Sequence, residues 1–280
     1  MSHSPENKPE LRPLRSDEEA LPYSKYYYRP VAPPNPKLIE ILNRGPMDPA
    51  KALLPENIND LLDPGHHEVE TGYCILDNGA GYVAVNNVFP GCTVDMMRWW
   101  FAWHAAGPGL RYKIWFPPGH VTIAVSDQAY AKLHDPDIPL EQKSQNIDHF
   151  VREDVGGGAE DIIISFLDPQ QMGFDMSRFH EPNVLAVFGG YGVSESVEHR
   201  GMKAPAIMCH FCRAMEGGVE FRTRFWMGYR INKGMAMCTL PPGVRIPVEA
   251  PMGLAYHNVM EYSNLASFLP EIYAEMGPAI

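Results

Sequence analysis

The sequence predicts an α+β fold: a curved antiparallel sheet wrapped on a long C-terminal helix, with a cavity between them. Three features carry this expectation. Runs with period-two alternation recur between Glu68 and Trp226, a short and nearly all-apolar helical stretch ends at His104, and residues 251–277 read as one long helix. With 280 residues, 45% hydrophobic and 20% charged, the chain can build one large domain, or a small N-terminal element and a domain of about 200 residues. The division expected is an N-terminal arm with short helices over 1–65 and the main domain over 66–280.

Residues 1 to about 36 are rich in proline and charge and carry an aromatic knot at Tyr23, Tyr26, Tyr27 and Tyr28. They read as an extended arm, partly disordered at its polar start, whose tyrosines pack on its own domain or on a partner chain. A short helix is expected at 36–42. Asp48 followed by Pro49 supplies an N-cap and first helical residue for a helix toward Leu62, which Asp63-Pro64-Gly65 stops. Then Val69, Thr71, Tyr73 and Ile75 alternate, Asp77-Asn78-Gly79 supplies turn chemistry, and 82–89 follows as a second strand. Thr93 caps the buried helix through His104, which Pro108-Gly109 ends. Further strands are expected at 111–116, 121–125, 147–152, 161–167 and 206–213. Glu216-Gly217-Gly218 turns the chain into 219–226, with Val219, Phe221, Thr223 and Phe225 on one face and Glu220, Arg222, Arg224 and Trp226 on the other. Pro270 should kink the last helix or break it. Gly156-Gly157-Gly158 reads as a flexible turn, and Gly189-Gly190-Tyr191-Gly192 lacks the full dinucleotide fingerprint.

The net charge of −11 argues against nucleic acid and anionic membrane as partners. The five cysteines are irregularly spaced and form no disulfide framework; Cys209 and Cys212, on a strand, face opposite sides and read as packing residues. No apolar run resembles a signal peptide or approaches the ~20 residues of a membrane span, so a cytoplasmic location is expected.

Chemistry concentrates in the histidines. His257 and Glu261, four residues apart on the last helix, share one face and can grip a divalent cation, although the same spacing also suits a solvated polar pair. His149 and Glu153 repeat the spacing. His104 and His210 lie in apolar surroundings, His104 at the end of Arg98-Trp99-Trp100-Phe101-Ala102-Trp103-His104. The 15 Met, 5 Trp, 12 Phe and 13 Tyr suit a wide aromatic cavity or an ordinary aromatic core.

That tryptophan-rich run, Leu110-Arg111-Tyr112-Lys113-Ile114-Trp115, Glu153-Asp154-Val155-Gly156, the stretch from Gly217-Gly218-Val219-Glu220 to Arg224-Phe225-Trp226, and the His257–Glu261 pair together resemble the 2,4-diacetylphloroglucinol hydrolase and phloretin hydrolase family. The resemblance covers about residues 65–277. It implies a helix-grip domain of the birch-pollen-allergen and START type, a helical N-terminal part that helps a homodimer form, and one zinc ion. It further implies hydrolysis of the carbon–carbon bond between a polyphenol ring and an acyl group. The implied metal ligands are His104, Glu153, His257 and Glu261. The fourth ligand maps to Glu153 when counting back from His210 and to Asp135 when counting forward from His104; Glu153 is preferred, with Asp135 and His149 as alternatives. His210 is the implied catalytic histidine, with Glu153 beside it. The family's substrate-binding Tyr, eight residues before its first zinc His, falls at Met96, and an Asn three residues after that His falls at Gly107. Both departures bear on the substrate rather than on the metal. Tyr229 and Tyr112 are candidates to hydrogen-bond a phenolic oxygen. The substrate expected is a small aromatic ketone or polyketide. A helix-grip carrier of an apolar aromatic ligand, or a polyketide cyclase without hydrolysis, is the competing class.

Overall fold

The computed structural model describes residues 11–155, 157–179, 185–195 and 204–280. The polar start of the arm, at 1–8, and Gly156 of the glycine turn lie outside the described residues. Among these residues the helices are α1 (Ser16–Glu19), α2 (Pro36–Leu42), α3 (Val94–Trp103), α4 (Leu110–Lys113), α5 (Asp127–His134), α6 (Leu140–Lys143) and α7 (Glu249–Met276). The strands are β1 (Gly72–Ile75), β2 (Gly81–Pro90), β3 (His120–Val125), β4 (Ile147–Asp154), β5 (Ala159–Leu167), β6 (Leu185–Glu195), β7 (Ala204–Met215), β8 (Gly218–Met227), β9 (Tyr229–Asn232) and β10 (Met235–Cys238).

Strands β1 to β8 form one sheet in the order β1-β2-β8-β7-β6-β5-β4-β3, antiparallel throughout, and β9 and β10 pair as a separate hairpin. The long helix α7 buries Ala255, Val259, Tyr262, Leu265, Phe268, Leu269 and Ile272 in the same core as Phe89 of β2 and Phe221 of β8. This is the helix-grip arrangement expected. Helix α3, capped by the Thr93 hydroxyl accepting from Met96 N, fills much of the space inside the grip. Phe101 stacks on Phe188 at 4.2 Å and Trp99 on Trp103 at 4.9 Å.

The alternation of β8 has an outcome that the pattern alone does not indicate. Val219, Phe221, Thr223 and Phe225 face α7, but the opposite row is buried too, beneath the segment that precedes β1. There Trp226 Nε1 donates to Leu53 O at 2.7 Å and Arg222 Nη1 to Leu61 O at 3.3 Å, and a second apolar cluster gathers Leu53, Ile58, Leu61 and Tyr82. Cys209 faces this second cluster and Cys212 the first, as expected of a strand, and burial pushes the Cys209 thiol up to about 12.

Several elements differ from expectation. Residues 111–116 are not a strand. Leu110 and Ile114, one helical turn apart, are both buried, and α4 forms there. The 48–62 segment is two 3₁₀ pieces, Pro49–Lys51 and Pro55–Leu62, because Pro55 has no N–H to carry one helix through. Helix α7 runs through Pro270 unbroken, held by Phe268, Leu269 and Ile272 in the core. Strand β6 was hidden by its glycines, which let neighbouring backbones approach: a Cβ at Gly190 would lie 1.8 Å from Ser165 O. Helix α5, capped by the Ser126 hydroxyl accepting from Ala129 N, and the β9–β10 hairpin, turned at Lys233-Gly234, were not among the expected elements. The tyrosines of the arm pack on the same chain: Tyr23 meets Trp103 edge-on at 5.0 Å and Tyr26 lies 5.4 Å from Phe268.

Arg222 and Arg224 are buried on the outer face of β8, and Glu70 answers both, accepting from Arg222 Nη2 at 2.7 Å and Arg224 Nη2 at 2.6 Å. Burial alone would raise the Glu70 pKa, but the two guanidiniums hold it down to about 2. A carboxylate whose folded pKa is depressed stabilises the fold fully above its unfolded value and loses that contribution as pH falls. Glu70→Gln is therefore expected to cost about 3 kcal/mol at pH 7 by chemical denaturation. The difference from wild type should shrink as pH falls from about 4.5 toward about 2.

A candidate metal centre at the mouth of the grip

His257 and Glu261 lie one turn apart on the buried side of α7, where helical rise brings them together. The third partner comes from the sheet. The chain tightens at Phe116-Pro117-Pro118-Gly119, with His120 N donating to Phe116 O at 2.9 Å, and His120 opens β3. A bulge between His120 and Thr122 re-aims the strand there, and His120 is the register partner of Glu153 on β4.

The donor atoms of His120, His257 and Glu261 all lie within 4.8 Å of one another. His120 Nε2 is 3.5 Å from Glu261 Oε2 and 3.7 Å from Glu153 Oε2, and His257 Nε2 is 3.7 Å from Glu261 Oε2. The His120 ring stacks on Tyr112 at 4.0 Å, and its Nδ1 donates to Tyr112 O at 3.1 Å. That bond fixes the tautomer and leaves the Nε2 lone pair aimed at the carboxylates, the second-sphere arrangement that metal-binding histidines use. The Tyr112 hydroxyl donates to Glu153 Oε2.

Burial sets the charge states. It lowers His257 to about 4 and pushes His120 well below its ordinary value, with repulsion from His257 adding to the latter. Both rings are thus neutral ligands near pH 7. Burial raises Glu153, while the Tyr112 bond opposes it; burial and then the neighbouring Glu153 charge raise Glu261 strongly. Two carboxylates close together out of water repel, and neutral imidazoles offer no charge to offset them. A divalent cation would answer both, and two His with carboxylates are a suitable donor set.

The sequence-based ligands divide accordingly. His257 and Glu261 meet, and Glu153 stands beside them across from His120. His104 is not in the group. It ends α3, its Nδ1 donates to Trp100 O at 2.8 Å, and its ring lies 5.3 Å from Trp115 and 5.3 Å from His149. His149 faces the interior beside Phe166, at 4.7 Å. It does not share a site with Glu153, because four residues span about 13 Å on a strand rather than the ~6 Å of a helix. Asp135 closes α5, accepting from Asp137 N at 2.9 Å, away from the cluster. His210 lies deeper, with Nδ1 at 2.9 Å from Thr223 Oγ1 and Nε2 at 3.3 Å from Tyr262 OH. Tyr229 stands in the second apolar cluster on the other side of the sheet, where its hydroxyl accepts from Asn78 at 2.7 Å. Met96 packs at the far end of α3, and Gly107 lies under the Arg111 guanidinium.

Sequence reasoning missed His120 because a lone histidine at the start of a short strand makes no pattern. One signal was available. The resemblance implies a Tyr eight residues before the first metal His, and Tyr112 stands eight residues before His120. The two departures at Met96 and Gly107 belong to a count from His104. Counted from His120, the Tyr is present and the position three residues on is Ile123.

The family model described as DAPG hydrolase, PhiG domain, matches residues 53–274. The chain belongs to the DAPG hydrolase family. It is an enzyme of that hydrolase family. It is 36% identical over 264 residues to phloretin hydrolase of Eubacterium ramulus, covering 94% of this chain and 93% of that one. It is 30% identical over 271 residues to 2,4-diacetylphloroglucinol hydrolase of a Pseudomonas species, covering 91% and 88%. Among solved structures, Ara h 8.0201 aligns with a TM-score of 0.40 and 6% identity over 69% of this chain and 99% of that one. The Zhui aromatase/cyclase of Streptomyces sp. R1128 aligns with a TM-score of 0.37 and 12% identity over 72% and 99%.

If His120 rather than His104 holds the cation, His120→Ala should purify with far less zinc than wild type by elemental analysis, and His104→Ala should keep it. Equal metal contents in the two variants would take His120 out of the ligand set.

Proposed function

We propose that the chain is a zinc-dependent hydrolase that splits the bond between an acyl carbon and a polyphenol ring carbon, or the equivalent bond of a 1,3-diketone-like substrate. The meeting of His120, His257 and Glu261, with Glu153 beside them, carries this reading. The identity to phloretin hydrolase supports a small aromatic ketone as substrate. A carrier or a cyclase that does not hydrolyse would have no need to bury two carboxylates against two imidazoles. The same reading expects a cytoplasmic homodimer with neither nucleic acid nor membrane as partner. Among the described residues no helix is long and apolar enough to cross a membrane.

Hydrolysing an aryl ketone requires that water add to the acyl carbon and that the departing ring carbon gain a proton. Zinc held by His120, His257 and Glu261, with Glu153 available as a fourth ligand or a base, would supply the positive charge that polarises the acyl oxygen and lowers the pKa of water. The rest falls to the protein. Burial and the Glu153 charge keep the Tyr112 hydroxyl protonated, so it can turn from Glu153 to donate to a substrate oxygen. Burial lowers His210 to about 3, so its ring is unprotonated near pH 7. His210 Nε2 lies 3.3 Å from the Tyr262 hydroxyl, whose ionisation burial and then Glu261 and Glu153 oppose. In this reading His210 supplies or takes up the proton that the departing ring carbon requires.

Dialysis against a chelator is expected to abolish acid release from an acylated polyphenol, and added zinc to restore it; full activity in metal-free protein would overturn the reading. His210→Ala should keep its zinc but lower kcat by roughly 10²-fold or more, the scale of a lost acid–base group. Turnover near wild type would remove His210 from the reaction.

A further inference from the structure

A pocket of about 460 Å³ opens against the outer side of the metal centre, with His257 among its lining residues. One wall is the N-terminal arm, through Val31 and Pro34. A second is Phe116 and the turn before β3, and a third is α7, through Gly253 and Met260. The arm is fastened in place: Ala32 N donates to Asn264 Oδ1 at 2.9 Å, Asn35 N to Ser263 Oγ at 3.1 Å, and Asn264 Nδ2 in turn to Trp115 O at 2.8 Å. Two polar side chains of the lining make hydrogen bonds within the chain. The Tyr256 hydroxyl meets Asn43 Oδ1 at 2.5 Å, and Asp154 Oδ1 accepts from Gly158 N at 3.0 Å.

Gly253 is the telling residue. A glycine inside a helix costs up to about 1 kcal/mol relative to alanine, so one that serves no backbone need is out of place. Gly253 has no positive φ, and a Cβ there would meet only Val155 O, at an ordinary 3.5 Å. Nothing in the packing excludes a side chain. What its absence provides is room in the pocket, one helical turn from His257 and on the same face.

We propose that this pocket is the subsite for the apolar acyl substituent of the substrate, and that Gly253 of α7 and Val31 of the arm, both in its lining, set how large an acyl group is admitted. The inference rests on the hydrolase reading above and adds to it a preference for acyl groups larger than acetyl. The division between ring and acyl group follows from polarity. Most of the lining is apolar, from Val31, Pro34, Phe116 and Met260, so a polyhydroxylated ring gains little from it. An alkyl or arylalkyl chain gains from the same walls. The polar groups that suit the ring, Tyr112 and Glu153, stand beside His120 and are not among the residues that line this pocket.

The test compares kcat/KM for two ketones with one trihydroxylated ring, carrying either an acetyl or a 3-phenylpropanoyl group. Gly253→Leu should shift the ratio toward the acetyl ketone by about tenfold or more, a range that a few methylene-sized clashes produce. Val31→Trp, on the arm and outside any helix, should shift it the same way, so the inference stays testable if either variant fails to fold by thermal melting. A ratio unmoved in the folded variants overturns the subsite. Should wild type hydrolyse neither ketone, the reaction reading fails, and the subsite is then judged by affinity. Calorimetric Kd for the 3-phenylpropanoyl ketone should weaken in Gly253→Leu, and an unchanged Kd overturns it.

Discussion

Glu153 and Glu261 both approach His120 Nε2, and burial raises the pKa of each. Repulsion between two such carboxylates, in a place that water does not relieve, is the constraint around which this end of the molecule is arranged. The Tyr112 hydroxyl tempers it by donating a hydrogen bond to Glu153, and His120, kept neutral by burial, is oriented by the bond from its Nδ1 to the Tyr112 carbonyl. Each of these contacts removes one source of freedom from a group that would otherwise have to find its position at the moment of binding.

The scaffold accomplishes this by burying both faces of part of its sheet. Inward residues of β8 meet α7 while outward ones meet the segment before β1, so Arg222 and Arg224 lie in the interior with Glu70 between them. A strand fixed from both sides cannot slip in register without driving charges into an apolar cluster. That rigidity extends across the ladder to β7, which places His210 against Thr223.

Much of the fold was legible because its signals are periodic. The two-residue period located β1, β2, β8 and most of the strands between, and the long apolar stripe located α7. Where the period was ambiguous the reading failed: Leu110, Tyr112 and Ile114 alternate as a strand would, yet one helical turn buries them equally well. At the site, His257 and Glu261 were legible because a helix converts sequence spacing into proximity. His149 and Glu153 share that spacing on a strand, which holds them apart. His120 depends on a tight turn and a bulge, neither of which leaves a mark in composition. His104 drew attention through its neighbours; in the structure those tryptophans are packing, and the histidine caps the helix that carries them.

Helix α7 packs chiefly on β2 and β1, at one border of the sheet, whereas His120 and Glu153 belong to β3 and β4 at the other. Four strands lie between β2 and β4, with α3 packed against two of them, β6 and β7, and against α7. A cation shared by His257, Glu261 and His120 would therefore act as the clasp of an open bracelet, joining ends that the band alone leaves free to spread. Closing it would tie β3 and β4 to the helix that rests on β1 and β2.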